Sequence, residues 1–256
     1  MIQAVTDSVV LHPSSLFTSR LLGATNTLSS TFDTVSPFSS PQRALICQKN
    51  GLLYVCDAGN HRIQVLTPAG ELLHEFGGRG HTHGRLMAPL DMAVWRERLF
   101  VCDTGNQRVE AFSLAGEYCG CLADADAVTP AELSSETADG IFLNRPVGLA
   151  VCPRLDRIFV SDSNAHRVLC FSLAGRRRAT SGTYLFAVGG PGKGKAQLDW
   201  PQGIAVYGDQ LYVCDAGHHR ISVFDARSGD FVHTLAEGKA WVRAHTASPP
   251  PPPPSL

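Results

Sequence analysis

A ten-residue stretch that returns four times constrains this chain more than any other feature of it. LYVCDAGNHR at 53–62, LFVCDTGNQR at 99–108, IFVSDSNAHR at 158–167 and LYVCDAGHHR at 211–220 superimpose without gaps. Their aspartates, Asp57, Asp103, Asp162 and Asp215, follow one another at intervals of 46, 59 and 53 residues. That period is the size of a four-stranded propeller blade. A unit this short cannot enclose a core of its own, so the copies must stack and bury one another's faces.

The residues around each aspartate spell out one blade. The apolar run before it lacks polar alternation, which predicts a middle strand covered on both faces by neighbouring sheets. The turn that follows carries Gly59, Gly105, Asn164 or Gly217 as its third residue, types that adopt positive φ at little cost. Next comes a strand in which Ile63/Val65, Val109/Ala111, Val168/Cys170 and Ile221/Val223 share one direction, while Gln64, Glu110 and Ser222 take the other and Leu169 departs from the pattern. A second turn at Ala69-Gly70, Ala115-Gly116, Ala174-Gly175 or Ser228-Gly229 leads to a last apolar segment. The first strand of each copy starts behind a proline: Pro41, Pro89, Pro146 or Pro201. The expectation is all-β, a propeller with four recognisable four-stranded blades at about 41–77, 89–122, 146–188 and 201–236.

Composition fits. The 24 glycines and 16 prolines suit many tight turns, and 22 Lys+Arg against 23 Asp+Glu leave a net charge of -1. Such a balance supplies no whole-molecule field toward nucleic acid or an anionic membrane. Asp7 interrupts the first apolar run and no basic leader precedes it, so a cytoplasmic location is the expectation, and no apolar stretch approaches membrane-spanning length. Three of the eight cysteines, Cys56, Cys102 and Cys214, occupy one repeat position, where the third copy has Ser161. They read as small packing side chains. Cys119 and Cys121 form a lone C-x-C with no partner pair for a metal, and neither metal nor cofactor is expected.

The run of proline, x-Gly-hydrophobic-Ala-Val, hydrophobic-Tyr/Phe-Val-x-Asp and then Asn/His-x-Arg-Ile/Val resembles the NHL repeat, as found in the NHL domain of TRIM-NHL-type proteins. The resemblance spans about 41–237. It implies a propeller, commonly of six blades, that binds protein or RNA and often recruits substrates for ubiquitin ligases. This chain carries no RING or B-box cysteine/histidine array, so a ligase role would need another chain. Residues 1–40 are expected to supply strands of a degenerate blade or an extension, leaving a possible fifth blade, an open arc or part of a six-bladed ring. Residues 238–256 form a Pro-rich tail with six consecutive prolines, from Pro249 to Pro254, a polyproline II segment suited to an SH3, WW or profilin-like partner.

For function, the leading expectation is a non-enzymatic scaffold that binds protein. The pairs Asp57/Arg62, Asp103/Arg108, Asp162/Arg167 and Asp215/Arg220 recur in every blade and are expected to fix the turns through arginine–carboxylate bonds. Candidate partner-binding residues are His61, Gln107, His166 and His219 in the turns, Arg79 and Arg85 in a linker, and the basic run Arg176, Arg177, Arg178 within an insertion at 176–182. The acidic insertion 124–139 joins this group. Two other readings stand beside it: RNA binding through a rim of the turn arginines, and a metal-dependent propeller lyase or lactonase using the turn histidines, including His218. The stretch GGPGKGKA at 189–196 nearly spells a phosphate loop, but Ala196 stands where a hydroxyl would hold magnesium, and a strand follows.

Overall fold

The structure, a computed structural model, describes residues 37–123, 142–174 and 182–235, with the backbone of 10–11. Blade 1 comprises β2 (Pro41–Ile46), β3 (Leu53–Asp57), β4 (Arg62–Leu66) and β5 (Leu72–Gly77), and the short β1 (Val10–Leu11) pairs antiparallel with β2. Blade 2 comprises β6 (Pro89–Trp95), β7 (Arg98–Asp103), β8 (Arg108–Ser113) and β9 (Tyr118–Ala123). Blade 3 holds β10 (Pro146–Cys152), β11 (Arg157–Asp162), β12 (Arg167–Ser172) and β13 (Thr183–Gly189), and blade 4 holds β14 (Pro201–Tyr207), β15 (Gln210–Asp215), β16 (Arg220–Asp225) and β17 (Phe231–Leu235). Every blade is an antiparallel meander in chain order.

Register repeats as faithfully as sequence. Each blade proline pairs with its aspartate, Pro41 with Asp57, Pro89 with Asp103, Pro146 with Asp162 and Pro201 with Asp215, and a bulge follows at once. Proline has no N–H to give a ladder, so it sits at the strand's first position where pairing is only beginning.

Three apolar cores lie between successive blades. Tyr54, Cys56 and Ile63 of blade 1 pack with Met92, Leu99 and Val101 of blade 2. Phe100, Cys102 and Val109 of blade 2 pack with Leu149, Ile158 and Val160 of blade 3, and Phe159, Val168 and Cys170 of blade 3 with Leu211 and Val213 of blade 4. Each blade thus offers an aromatic-bearing face forward and an aliphatic face backward. Among the described residues no such core joins blade 4 to blade 1, whose backward residues Ala44, Val55 and Leu66 form a small cluster of their own. The forward face of blade 4 is correspondingly bare: Cys214 is exposed and Tyr212 half-buried, whereas Cys102 and Phe100 are fully enclosed. Coverage of the middle strand on both faces, expected for all four copies, therefore fails in the last.

The turn glycines correct a second expectation. Gly59, Gly105 and Gly217 do not have positive φ; the left-handed residue is two places later, at His61, Gln107, His166 and His219. Glycine is needed there for space. A Cβ on Gly59 would lie 2.8 Å from the carbonyl oxygen of Ser39, one on Gly105 2.8 Å from that of Met87, and one on Gly217 2.4 Å from the carboxyl carbon of Asp199.

Candidate functional site

The β3–β4 type turns and the linkers that precede each proline share one rim, and an aspartate holds them together in every blade. Its Oδ1 accepts a linker N–H: Ser39 to Asp57 at 2.7 Å, Met87 to Asp103 at 2.6 Å, Arg145 to Asp162 at 2.8 Å and Asp199 to Asp215 at 2.7 Å. In three blades its Oδ2 accepts Arg Nε, from Arg62 at 2.8 Å, Arg108 at 2.8 Å and Arg220 at 2.7 Å. The same oxygen takes Asn60 Nδ2 at 2.8 Å in blade 1 and Asn106 Nδ2 at 2.7 Å in blade 2, and His218 Nδ1 lies 2.9 Å from it in blade 4. All four carboxylates are fully buried. Burial alone would raise the Asp57 carboxyl, but donors from Asn60, Ser39, Arg62 and Gln64 outweigh it and hold the group below its ordinary value. Around Asp103 burial prevails over a similar donor set and the carboxyl is raised.

The guanidinium groups then close the linkers. Arg108 donates to the carbonyls of His81, Thr82 and Arg85, and Arg220 to those of Gly194, Lys195 and Gln197. Their side chains are 6% and 8% exposed, and that of Arg62 12%. These three arginines are structural cross-braces with little left for a phosphate.

The NHL-repeat sequence profile matches at 38–66, 143–171 and 198–224. The chain carries NHL repeats. The matches fall on blades 1, 3 and 4, and blade 2 shares their register, pairing Pro89 with Asp103. No curated protein matches the chain. Among solved structures, the crystal structure of a nidogen/laminin complex is similar at 18% identity over 76% of this chain and 67% of that one, with a TM-score of 0.49. Saccharomyces cerevisiae Sqt1 is similar at 10% identity over 72% of this chain and 43% of that one, with the same TM-score of 0.49.

Of the candidate residues on this NHL array, His61, Gln107, His166 and His219 come to the turn-and-linker rim with Arg79 and Arg85. His61 Nδ1 accepts the N–H of Ala88 at 3.0 Å, tying one NHL repeat to the next linker, and His166 Nδ1 lies 3.0 Å from Asp199 Oδ1. Gln107, His219, Arg79 and Arg85 are exposed, with Arg85 Nη1 donating to the Gly77 carbonyl at 3.0 Å. Arg176, Arg177 and Arg178 lie outside the described residues, as do 124–139 and the prolines from Pro249 to Pro254. Among the described residues no three His, Cys, Asp or Glu side chains gather as a metal site would require.

The third NHL repeat breaks the pattern. Ala165 stands where Asn60, Asn106 and His218 reach Oδ2, and Leu169 replaces Gln64 and Ser222, which face the same oxygen at 3.0 and 3.4 Å. Arg167 Nε rests 3.5 Å from Asp162 Oδ2, and neither atom has a hydrogen-bond partner among the described residues. The Arg167 side chain is 34% exposed, several times more than its counterparts. Phe142 and Trp200 are exposed beside it, and the Arg145 guanidinium lies 5.9 Å from the centre of the Trp200 ring.

Reading the sequence missed Phe142, Arg145 and Trp200. A signal existed: the residue before the blade proline is Ser40 and Ala88 in the first two copies but Arg145 and Trp200 in the last two. It also missed two buried carboxylates in place of repeat residues, Asp91 and Glu110. Arg43 and Asp91 occupy the position of Gly148 and Gly203 and pair at 3.2 Å, and Asp91 Oδ2 accepts the Leu149 N–H from blade 3 at 2.8 Å. Glu110, fully buried where blade 1 has Gln64, accepts the Gly84 N–H and faces Arg108 Nη2 at 3.0 Å and His83 Nδ1 at 3.2 Å. Burial raises both the Asp91 and the Glu110 carboxyls above their ordinary values.

Proposed function

We propose that this NHL-repeat array is a non-enzymatic scaffold that binds protein through its turn-and-linker rim. The observation that carries the reading is the division of labour there. Aspartate, arginine and glycine of repeats 1, 2 and 4 are committed to holding turn and linker together, while the side chains that vary between copies, among them Gln107, Phe142, Trp200 and His219, project to solvent. A rigid frame presenting exposed aromatic and basic residues suits protein recognition, because tryptophan and arginine supply contact area at small entropic cost once their backbone is fixed. RNA is the weaker alternative, since three of the four turn arginines are spent on carbonyls and carboxylates. The test is affinity capture by the full chain from lysate, with and without nuclease and at low and high salt. Protein retained after both treatments, and lost when rim residues are substituted, supports the scaffold. RNA whose recovery falls steeply with salt would move the reading to nucleic acid.

A further inference from the structure

We propose that the rim of blade 3 is a docking site for an acidic segment of a partner protein, its carboxylate taken by Arg167 and its neighbouring apolar side chain laid on Trp200. This rests on the scaffold reading and adds the place and the chemistry.

The site is one contiguous patch. Arg167 Nη2 donates to the Phe142 carbonyl at 2.8 Å, Asn144 and Arg145 give their N–H groups to Asp162 Oδ1, the Arg145 guanidinium covers the Trp200 ring, and the Trp200 N–H reaches His166 Nδ1 at 3.3 Å. Phe142 and Trp200 are 53% and 48% exposed, the Trp200 ring under the Arg145 guanidinium and the Phe142 backbone against Arg167.

Two features of this patch are unfavourable to the fold taken alone. Trp200 holds φ at +51° immediately before Pro201, as Ser40 and Ala88 do at +47° in blades 1 and 2, so the conformation belongs to the repeat and the departure is the large ring. That ring is 48% exposed and gains little from burial. Arg167, meanwhile, lacks the Nε bond that its three counterparts make, and Asp162 Oδ2 stays buried without a donor because Ala165 and Leu169 have replaced the repeat's polar residues. Departures from a repeat that cost stability and coincide in space mark a functional site.

Charge selects the ligand. Asp162 is buried and Asp199, its side chain 40% exposed, lies 3.0 Å from His166 Nδ1, so Arg145 and Arg167 set two cations against one solvent-facing carboxylate. A guanidinium whose Nε stands 3.5 Å from its own carboxylate without a hydrogen bond keeps part of its planar fork for a second carboxylate. Aromatic rings beside it supply the desolvated anchor that single ion pairs lack. A peptide with Asp or Glu next to an aromatic or aliphatic residue satisfies both.

The decisive experiment is selection of a displayed random 12-residue peptide library on the folded full chain, followed by fluorescence anisotropy of the enriched peptides. Enrichment of Asp or Glu beside an apolar residue is expected. Binding should weaken at least tenfold in Trp200→Ser and in Arg167→Gln, and be unchanged in Lys49→Ala on the opposite rim. Serine is the residue that blade 1 itself carries at this position, so Trp200→Ser keeps the fold, and equal urea midpoints verify this; Arg167→Lys, which retains charge but not the fork, should lie between wild type and glutamine. No enrichment, enrichment of basic peptides, or acidic peptides indifferent to both substitutions overturns the site. Displacement of the peptides by oligouridine at equal concentration overturns it in favour of a single-stranded nucleic acid. If captured lysate proteins stay bound to Trp200→Ser and Arg167→Gln, this site fails while the scaffold stands; if no protein is captured at all, the scaffold reading fails.

Discussion

At the scale of the residue, one carboxylate oxygen summarises how the repeat is held and where it is loosened. Asp57, Asp103 and Asp215 use Oδ2 to accept from an arginine and a turn donor, whereas Asp162 Oδ2 has its arginine only at 3.5 Å, without a hydrogen bond, and no turn donor. Ala165→Asn restores the donor that Asn60 and Asn106 supply. It should stabilise the chain by about 1 kcal/mol, the net worth of one added hydrogen bond, read as a higher urea midpoint at unchanged slope. Glu110 makes an opposite case, a charge kept where blade 1 has a neutral amide. Burial raises its carboxyl, so the folded state holds this proton more tightly than the unfolded chain does. The resulting stabilisation is complete below the unfolded glutamate pKa of about 4.3 and is lost as pH rises through the folded value. Moving from about pH 7 toward about pH 5 should therefore stabilise wild type relative to Glu110→Gln, measured as urea midpoints of both proteins at each pH. A difference independent of pH would show that Glu110 carries no such shift.

At the scale of the element, the turn assigns its two special positions to two different demands. Gly105 lies against the Met87 backbone, 2.8 Å from carbonyl oxygen to a would-be Cβ, while Gln107 holds φ at +56° in the open. Gly105→Ala should cost about 1–3 kcal/mol through overpacking. Gln107→Gly should be neutral or stabilise by up to about 1 kcal/mol, since it relieves a left-handed side chain at the expense of unfolded-state entropy. Thermal denaturation of the pair distinguishes close approach from positive φ as the glycine's purpose: a costly Gln107→Gly with a harmless Gly105→Ala would reverse the assignment.

For the whole molecule, the blades stack in one direction, aromatic face onto aliphatic face, and the last forward face meets no described blade. Phe100 and Tyr212 hold the same repeat position, yet Phe100 lies inside the core between blades 2 and 3 while Tyr212 is only half-buried. Phe100→Ala should cost about 3–5 kcal/mol and Tyr212→Ala much less, because only the first opens a cavity. Chemical denaturation of the two variants measures the contrast. Comparable losses would mean that the forward face of blade 4 is enclosed in solution.

The sequence by itself was sufficient for the number of recognisable blades, the order of their strands, the proline entry points and the inward-facing apolar positions. These are local: period-two alternation, turn residues and proline chemistry act within a few residues of one another. Only the tertiary structure decided what each repeated residue does. Cys102 and Cys214 are the same letter in the same context, one enclosed and the other exposed, because enclosure depends on whether another blade arrives. Gly59 and Gly105 read as flexible turn residues until the linkers were seen lying against them. Arg167 could not be told from Arg62, Arg108 or Arg220 until Ala165 and Leu169 were placed beside the same carboxylate oxygen, since a hydrogen bond is a relation between residues and a repeat letter describes only one of them.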